Sequence, residues 1–343
     1  MITIIENKKE WQTIVESMDY FDFYHTYDYH YISKKANEFP LLLVYKEENK
    51  TIAIPFLKRP IDNTPFFDLT SVYGYAGPLS KNIDQGFNNE LFVHNLMTYF
   101  TESSIISVFS RLHPYFDNQP IILKSLGNTP AMGKVVYIDT TKDLNLQRSN
   151  YSKSTKNRVN KCRKKLSIKE ASTKLEINNF IDIYYENMDR VNANQEYYFS
   201  REYFYDFVNS SYIKTNILLV SHNETNDIIA GAMFVLTNNI VQYHLSGTKT
   251  AYLDLAPANF FIDEMRLKAT AEKYKFFNLG GGLGGSEDSL FNFKSSFSNQ
   301  YKDFQVWELI VNKEIYHKLS ENRKTNANSK FFPLYKKSKR SRS

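Results

Sequence analysis

A single cysteine, Cys162, stands in 343 residues. It excludes an internal disulfide and any zinc cluster built on cysteine. The seven histidines show no metal-ligand spacing, so no metal is expected. Glycine (12) and proline (10) are sparse, which excludes a low-complexity or collagenous chain. No apolar run approaches the ~18 residues of a membrane span. The start, Met1-Ile2-Thr3-Ile4-Ile5-Glu6, has no basic segment leading into a long apolar one, so no signal peptide is expected and a cytoplasmic location is. There is no G-K-[ST] loop, no G-x-S-x-G elbow and no carboxylate pair at a catalytic spacing. Triphosphatase and serine-hydrolase chemistry lose their usual signatures.

What is present is aromatic and basic. Phenylalanine (26) and tyrosine (25) are plentiful, and many tyrosines sit among polar residues, where they can line a groove. The formal net charge is +6, but it is unevenly placed. The stretch from Lys142 to Lys169 is dense in Lys and Arg and holds one acid, Asp143. The tail Lys336-Lys337-Ser338-Lys339-Arg340-Ser341-Arg342 is also basic. Such patches suit phosphate-rich partners or an anionic membrane surface, or are simply a solvated helix face and a frayed end. Cys162 lies within the basic stretch, which could lower its pKa, but no partner histidine can be assigned.

The length allows two domains, and the pattern of elements repeats. The first half reads as a helix from Tyr27 to Ala36, a hairpin (Leu41 to Tyr45, then Thr51 to Leu57), a helix from Asn88 to Ser103 and a strand from Ile105 to Phe109. The second half reads as a helix from Arg201 to Ser210, a hairpin (Ile217 to Ser221, then Ile228 to Leu236), a strand from Ile240 to Gly247, a helix from Pro257 to Lys273 and a strand from Lys275 to Leu279. Leu42-Leu43-Val44-Tyr45 aligns with Leu218-Leu219-Val220-Ser221. The order predicts a duplicated α/β domain with mixed sheets, divided as 1–145 and 146–343.

Near the end of the second copy, Gly280-Gly281-Gly282-Leu283-Gly284-Gly285-Ser286 joins a buried strand to a short helix, Glu287 to Phe297. Gly280, Gly282 and Gly285 match G-x-G-x-x-G, yet too little chain follows for a dinucleotide fold. At 100° per residue Leu290, Phe293 and Phe297 form one stripe, and Lys294 falls between Leu290 and Phe291. Either its stem snorkels to water or its ammonium points into a site that holds negative charge. Arg201 and Tyr205, at i and i+4, share a face that could hold a phosphate or carboxylate.

These stretches together resemble the Fem-type transferases of the GNAT superfamily, which attach amino acids from aminoacyl-tRNA to cell-wall precursors through two GNAT-like domains in tandem. Phe293-Lys294 with Phe297 is similar to the family's Phe-Lys-x-x-Phe, so the resemblance implies catalytic roles for Lys294, on the charge of the transferred acyl group, and for Phe293, packed beside it. Tyr75-Ala76-Gly77-Pro78 resembles an Arg-Gly-Pro turn with Ala in place of Arg. His113-Pro114-Tyr115 resembles a strand end bearing Asp-Pro, and Phe331-Phe332-Pro333-Leu334-Tyr335 a closing segment of related envelope-biosynthesis proteins. By the same resemblance Arg201 and Tyr205 would contact precursor phosphate. Tyr115, Tyr243, Lys34 and Lys35 are further substrate-binding candidates. Asn157 to Lys165 resembles the family's basic inter-domain helix, and Lys156, Arg158 and Lys161 are the expected donor contacts.

No permanent cofactor is implied. The co-substrate is aminoacyl-tRNA or acyl-CoA, and the acceptor a nucleotide- or lipid-linked envelope precursor. Contacts with tRNA and with the inner membrane surface are further expected partners. The loop Thr248 to Pro257 has no glycine after Gly247 and carries Asp254, which disfavours the coenzyme A cradle of ordinary GNAT enzymes, while the basic segments favour tRNA. The rivals are an acetyl-CoA-dependent N-acetyltransferase of an amino sugar, a non-catalytic RNA-binding protein and a pseudo-enzyme that keeps the duplicated fold.

Overall fold

The computed structural model describes residues 1–321 and 331–336. The basic tail beyond Lys336 lies outside the described residues. Along the chain run β1 (Ile2–Ile5), α1 (Lys8–Glu16), α2 (Tyr27–Ser33), β2 (Phe39–Glu47), β3 (Lys50–Pro60), β4 (Phe67–Thr70), β5 (Leu79–Lys81), α3 (Glu90–Glu102), β6 (Ile105–Arg111) and α4 (Gln119–Ile122). Then come β7 (Ala131–Asp139), α5 (Leu144–Ser149), α6 (Lys153–Lys165), β8 (Leu166–Glu170), α7 (Lys174–Arg190), α8 (Arg201–Asn209), β9 (Lys214–His222), β10 (Ile228–Thr237), β11 (Ile240–Thr248), α9 (Pro257–Ala271), β12 (Phe276–Gly280) and α10 (Ser289–Ser295). The chain continues through β13 (Gln300–Ile310) and α11 (Lys313–Glu321).

Two compact units divide these elements: Met1–Met132 with Phe304–Ser343, and Gly133–Asp303. In the first, the strand order is β1-β2-β3-β4-β6-β13 with β5 on β3, and only β4 and β6 run parallel. In the second it is β8-β9-β10-β11-β12-β7, with β11 and β12 the parallel pair. The two orders are the same: a meander, a crossover helix (α3 or α9), a parallel strand and an antiparallel closing strand. The mixed α/β class and the duplication are as the sequence predicts. The division differs from 145/146, because the closing strands are exchanged. β7, which follows the first copy, pairs with β12 through Phe276–Asp139 and Phe277–Ile138. β13, which follows the second, pairs with β6 from Val306–Arg111 to Ile310–Ser107.

Each sheet is covered on both faces. In β2, Leu41, Leu43 and Tyr45 pack with Phe92, Leu96 and Phe100 of α3, while Leu42 and Val44 pack with Trp11 and Val15 of α1. The period-2 alternation of a strand puts successive side chains on opposite faces, so a continuous apolar run signals burial on both. The second unit repeats this. Phe234 and Phe277 pack with Phe261 and Met265 of α9. On β10, a Cβ at Gly231 would meet the Phe180 ring of α7 at 2.8 Å. α7 begins at a capping box of Thr173 and Glu176, which satisfies amide donors that the first turn leaves free.

Basic helix α6 is part of the second unit rather than a linker between domains. It buries Thr155, Val159 and Cys162 and leaves its charges outside. Its Arg163 and the Arg148 of α5 reach the fully buried Asp263 of α9, at 2.8 and 3.5 Å. Arg266 (2.9 Å) and the Tyr151 hydroxyl (2.9 Å) complete the cluster. Part of the positive charge counted in the sequence is therefore structural, balancing a carboxylate that could not be buried alone.

Candidate active site

β11 and β12 run side by side only from Ile240–Phe276 to Gln242–Asn278. At that last register the buried Asn278 amide donates to Gln242 Oε1 at 2.7 Å. β11 then continues to Thr248, and its pairing with β10 slips at Met233/Phe234, where Leu245 and Tyr243 are partners. Tyr243, His244, Leu245 and Ser246 are all partly exposed. Of these, Tyr243 packs on the core beside Phe234 and Phe261, and His244 Nε2 lies 2.9 Å from the Tyr203 hydroxyl. A bulge of this kind re-aims side chains where pairing ends.

The glycine turn after β12 feeds α10. Gly280 has φ +79°, a left-handed conformation that favours glycine. A Cβ at Gly281 would lie 2.7 Å from the carbonyl oxygen of Lys134. Asp288 then caps α10 by accepting from the Phe291 amide (2.9 Å), and its other oxygen accepts from the Leu283 amide (2.9 Å). The cap fixes the turn to the helix, which sets the direction of Lys294.

Lys294 is 8% exposed, and its Nζ donates to the Gly281 carbonyl at 2.8 Å. The Tyr243 ring centroid lies 5.9 Å from Nζ. The lysine does not snorkel to water. Burial lowers its pKa to about 8, with the nearby charge of Asp288 opposing the shift. The flanking stripe is partly corrected: Phe297 is fully buried and Phe293 packs edge-on against it at 5.4 Å, but Leu290 is 43% exposed. Phe291 is the buried neighbour instead, stacked on Tyr301 at 5.8 Å. In the seven-residue α10 the buried face runs through Phe291 and Lys294 and leaves Leu290 outside. Tyr243, also buried around its hydroxyl, has its pKa pushed up to about 12 and lies 2.5 Å from Ser246 Oγ.

Phe293 also lines a cleft of about 310 Å³, together with Arg158, Thr248, Asp254, Pro257 and Asn259. An adjoining cleft of about 270 Å³ is lined by Arg158, Lys161, Cys162, Lys165 and Asp254. Of the donor candidates, Arg158 and Lys161 face these clefts. Lys156 is turned back onto α5, donating to the Ser149 carbonyl at 3.0 Å. Cys162 is no thiolate. Burial raises its pKa to about 11 despite the basic neighbours, and its Sγ donates to the Leu255 carbonyl at 3.2 Å.

Arg201 and Tyr205 do share a face, and both converge on Asn178 Oδ1 of α7, at 2.9 and 2.6 Å. Arg201 also pairs with Asp182. Their partners are thus on α7, not around Lys294. Tyr115, Lys34 and Lys35 belong to the first unit. The Tyr115 ring lies 5.7 Å from His113, Lys34 covers the Tyr31 ring at 5.2 Å, and the Lys35 amide donates to Glu38 at 3.0 Å. There the sequence gives no hint of a buried histidine cluster. His113 Nε2 donates to Asp22 Oδ2 at 3.0 Å, and His25 Nε2 donates to the Ala76 carbonyl at 2.9 Å. Ala76, standing where the Fem-type turn has arginine, is itself fully buried.

The comparisons with known proteins agree with this architecture. The sequence pattern of the FemAB family matches residues 213–304, the stretch that carries β9 to β12, the glycine turn and Lys294. No curated protein matches by sequence. Among solved structures, FemX superposes with a TM-score of 0.72 at 10% identity, covering 92% of this chain and 99% of its own. L-PGS from Bacillus licheniformis gives 0.55 at 10% identity over 90% of this chain and 93% of its own. A conserved protein of unknown function from Bacteroides thetaiotaomicron gives 0.57 at 12% identity over 90% and 100%. The family pattern thus covers about a quarter of the chain, around the glycine turn and Lys294, and over most of its length the chain shares the fold of FemX.

Proposed function

We propose that the protein is an N-acyltransferase that moves an aminoacyl or acyl group onto an amino group of a cell-envelope precursor of peptidoglycan, capsule or lipopolysaccharide. Aminoacyl-tRNA is the favoured donor over acyl-CoA. The observation that carries the reading is Lys294: a buried ammonium beside the cleft-lining Phe293, with no carboxylate among its hydrogen-bond partners in the described residues. The FemAB match and the likeness to FemX support the reaction class.

In the reaction the acceptor nitrogen attacks the ester carbonyl carbon and the carbonyl oxygen becomes an oxyanion. Collapse breaks the bond to the ribose oxygen, which takes up the proton that the amine loses. A lysine ammonium has three donors. One is held by the Gly281 carbonyl, so two remain for the oxyanion. A preplaced donor of this kind in a site poor in water is worth about 3 kcal/mol of barrier. Arg158 and Lys161 suit the phosphates of the donor. Contact with a membrane surface and Arg201–Tyr205 contact with precursor phosphate belong to the same reading. Among the described residues no helix is long and apolar enough to cross a membrane.

The test incubates purified protein with charged tRNA or acetyl-CoA and a panel of muropeptide and amino-sugar acceptors, and follows the product by mass. Amide product from charged tRNA is expected. Product from acetyl-CoA alone would assign the other donor, and no product from either would overturn the reading in favour of an RNA-binding or pseudo-enzyme role.

A further inference from the structure

Four charged side chains line the two adjoining clefts of the second unit: Arg158, Lys161, Lys165 and Asp254. Among the described residues none of these side chains makes a hydrogen bond or ion pair, so their charges are available to a ligand. Their arrangement is ordered. Phe293 lines the first cleft only, and Lys161 and Lys165 the second only. Arg158 and Asp254 line both. Asp254 stands near the end of a short 3-10 turn, Thr250–Leu255, which is closed by Ala256 at φ +52°. Pro257 then starts α9. The left-handed residue and the proline fix the turn against the helix.

A carboxylate is a poor choice for a site that takes only phosphate, since it repels the anion the three cations attract. It suits a ligand that carries both signs of charge. We infer that Asp254 receives the α-ammonium of an aminoacyl donor, and so selects aminoacyl over uncharged acyl groups. The inference rests on the acyl-transfer reading above. With the acyl carbon beside Phe293, the next charged group outward is the α-ammonium, two bonds from the carbonyl carbon, at the level of Asp254 and Arg158. The phosphates of the donor lie further along, against Lys161 and Lys165. An acetyl group would leave Asp254 with no partner.

The probe is a stable 5′-phosphorylated 3′-aminoacylamido-adenosine, in which an amide replaces the reactive ester, prepared with the α-amino group free or acetylated. Calorimetry is expected to show the free-amino form bound roughly twofold to fivefold more tightly, the range for an exposed ion pair. Asp254→Asn removes that preference and, with the carboxylate's repulsion of the phosphate gone, binds the acetylated form at least as tightly as the native protein does. Arg158→Ala weakens both forms alike, which places them in this cleft. Equal binding of the two forms, or a preference that survives Asp254→Asn, overturns the role of Asp254 and leaves the acyl-transfer reading standing. If neither form binds while coenzyme A does, the aminoacyl donor is wrong and the role of Asp254 falls with it.

Discussion

The ammonium of Lys294 and the carbonyl of Gly281 are joined by a 2.8 Å hydrogen bond across the turn that separates β12 from α10. The contact holds a cation in a buried position without neutralising it, because a carbonyl accepts a proton without carrying a full charge. A carboxylate there would satisfy the lysine and take away its value to a developing oxyanion.

Lys294→Met keeps most of the side-chain volume and removes the ammonium. The expected loss in kcat is 10²-fold or more, the scale of one lost oxyanion donor, with little change in the melting temperature. Turnover under saturating donor, measured beside a thermal melt, separates the two. Because the pKa of Lys294 is lowered to about 8, the protonated form is lost as pH rises through that value. Activity should therefore fall above about pH 8. A pH–rate profile that stays flat to pH 9.5 would contradict the assignment.

The glycine turn should tolerate no side chain at Gly282. A Cβ there would lie 2.0 Å from the Ser286 carbonyl oxygen and 2.5 Å from Asp288 Oδ1. Gly282→Ala must displace the cap of α10 and with it Lys294. Activity should drop at least tenfold while the bulk of the fold persists, read by turnover and by near- and far-ultraviolet circular dichroism. Gly284, whose Cβ would meet nothing within 4 Å, lies on the same turn. Its φ of +63° makes Gly284→Ala cost only about 1 kcal/mol.

Asp263 is in contact with Arg148, Arg163 and Arg266 together. Asp263→Ala leaves buried Arg266 without its anion, while Arg163 of α6 keeps Glu264 of α9 as a partner. A loss of about 3–5 kcal/mol is expected, as for other buried pairs broken on one side. Chemical denaturation of the variant against the native protein would show it. A loss below 1 kcal/mol would mean that the Asp263 cluster adds little to the apolar contacts and the Arg163–Glu264 pair between the helices.

The first unit should weaken in acid. Burial lowers the pKa of His25 to about 3 and that of His30 to about 4, and lowers that of His113 as well. Unfolded, each would titrate near 6.5. Below 6.5 the unfolded chain binds protons that the folded one refuses, so stability falls as pH drops toward about 4. Melting temperatures from pH 7 to pH 4 should decline, and His30→Gln should flatten the decline. His30 Nε2 is buried without a hydrogen bond among the described residues, which makes it the least compensated of the three.

Much of this was legible in the residues. The apolar runs at Leu41 to Tyr45 and Ile217 to Ser221 announce strands covered on both faces, and the repeated order of hairpin, helix and strand announces the duplication. The glycines before Ser286 are a local signal, so the turn was readable, whereas the helix expected over Glu287 to Phe297 is shorter, capped by Asp288 and running Ser289–Ser295. Local chemistry did not reveal that Arg148 and Arg163 are spent on Asp263, a carboxylate about a hundred residues away in the chain from Arg163. The pairing of Arg201 and Tyr205 with Asn178 is equally non-local.

The sequence by itself determined the elements and their order, because propensity, capping and hydrophobic period act over a few residues. It also placed a lysine among aromatics on a short helix. Only the tertiary structure decided which strand closes each sheet, since the choice between β7 and β13 rests on pairing with β12 and β6, partners more than a hundred residues distant in the chain. It likewise decided the state of Lys294. Burial depends on what the fold packs around a side chain, and here β11, the Gly281 carbonyl and Phe293 surround an ammonium that the sequence alone would have allowed to reach water.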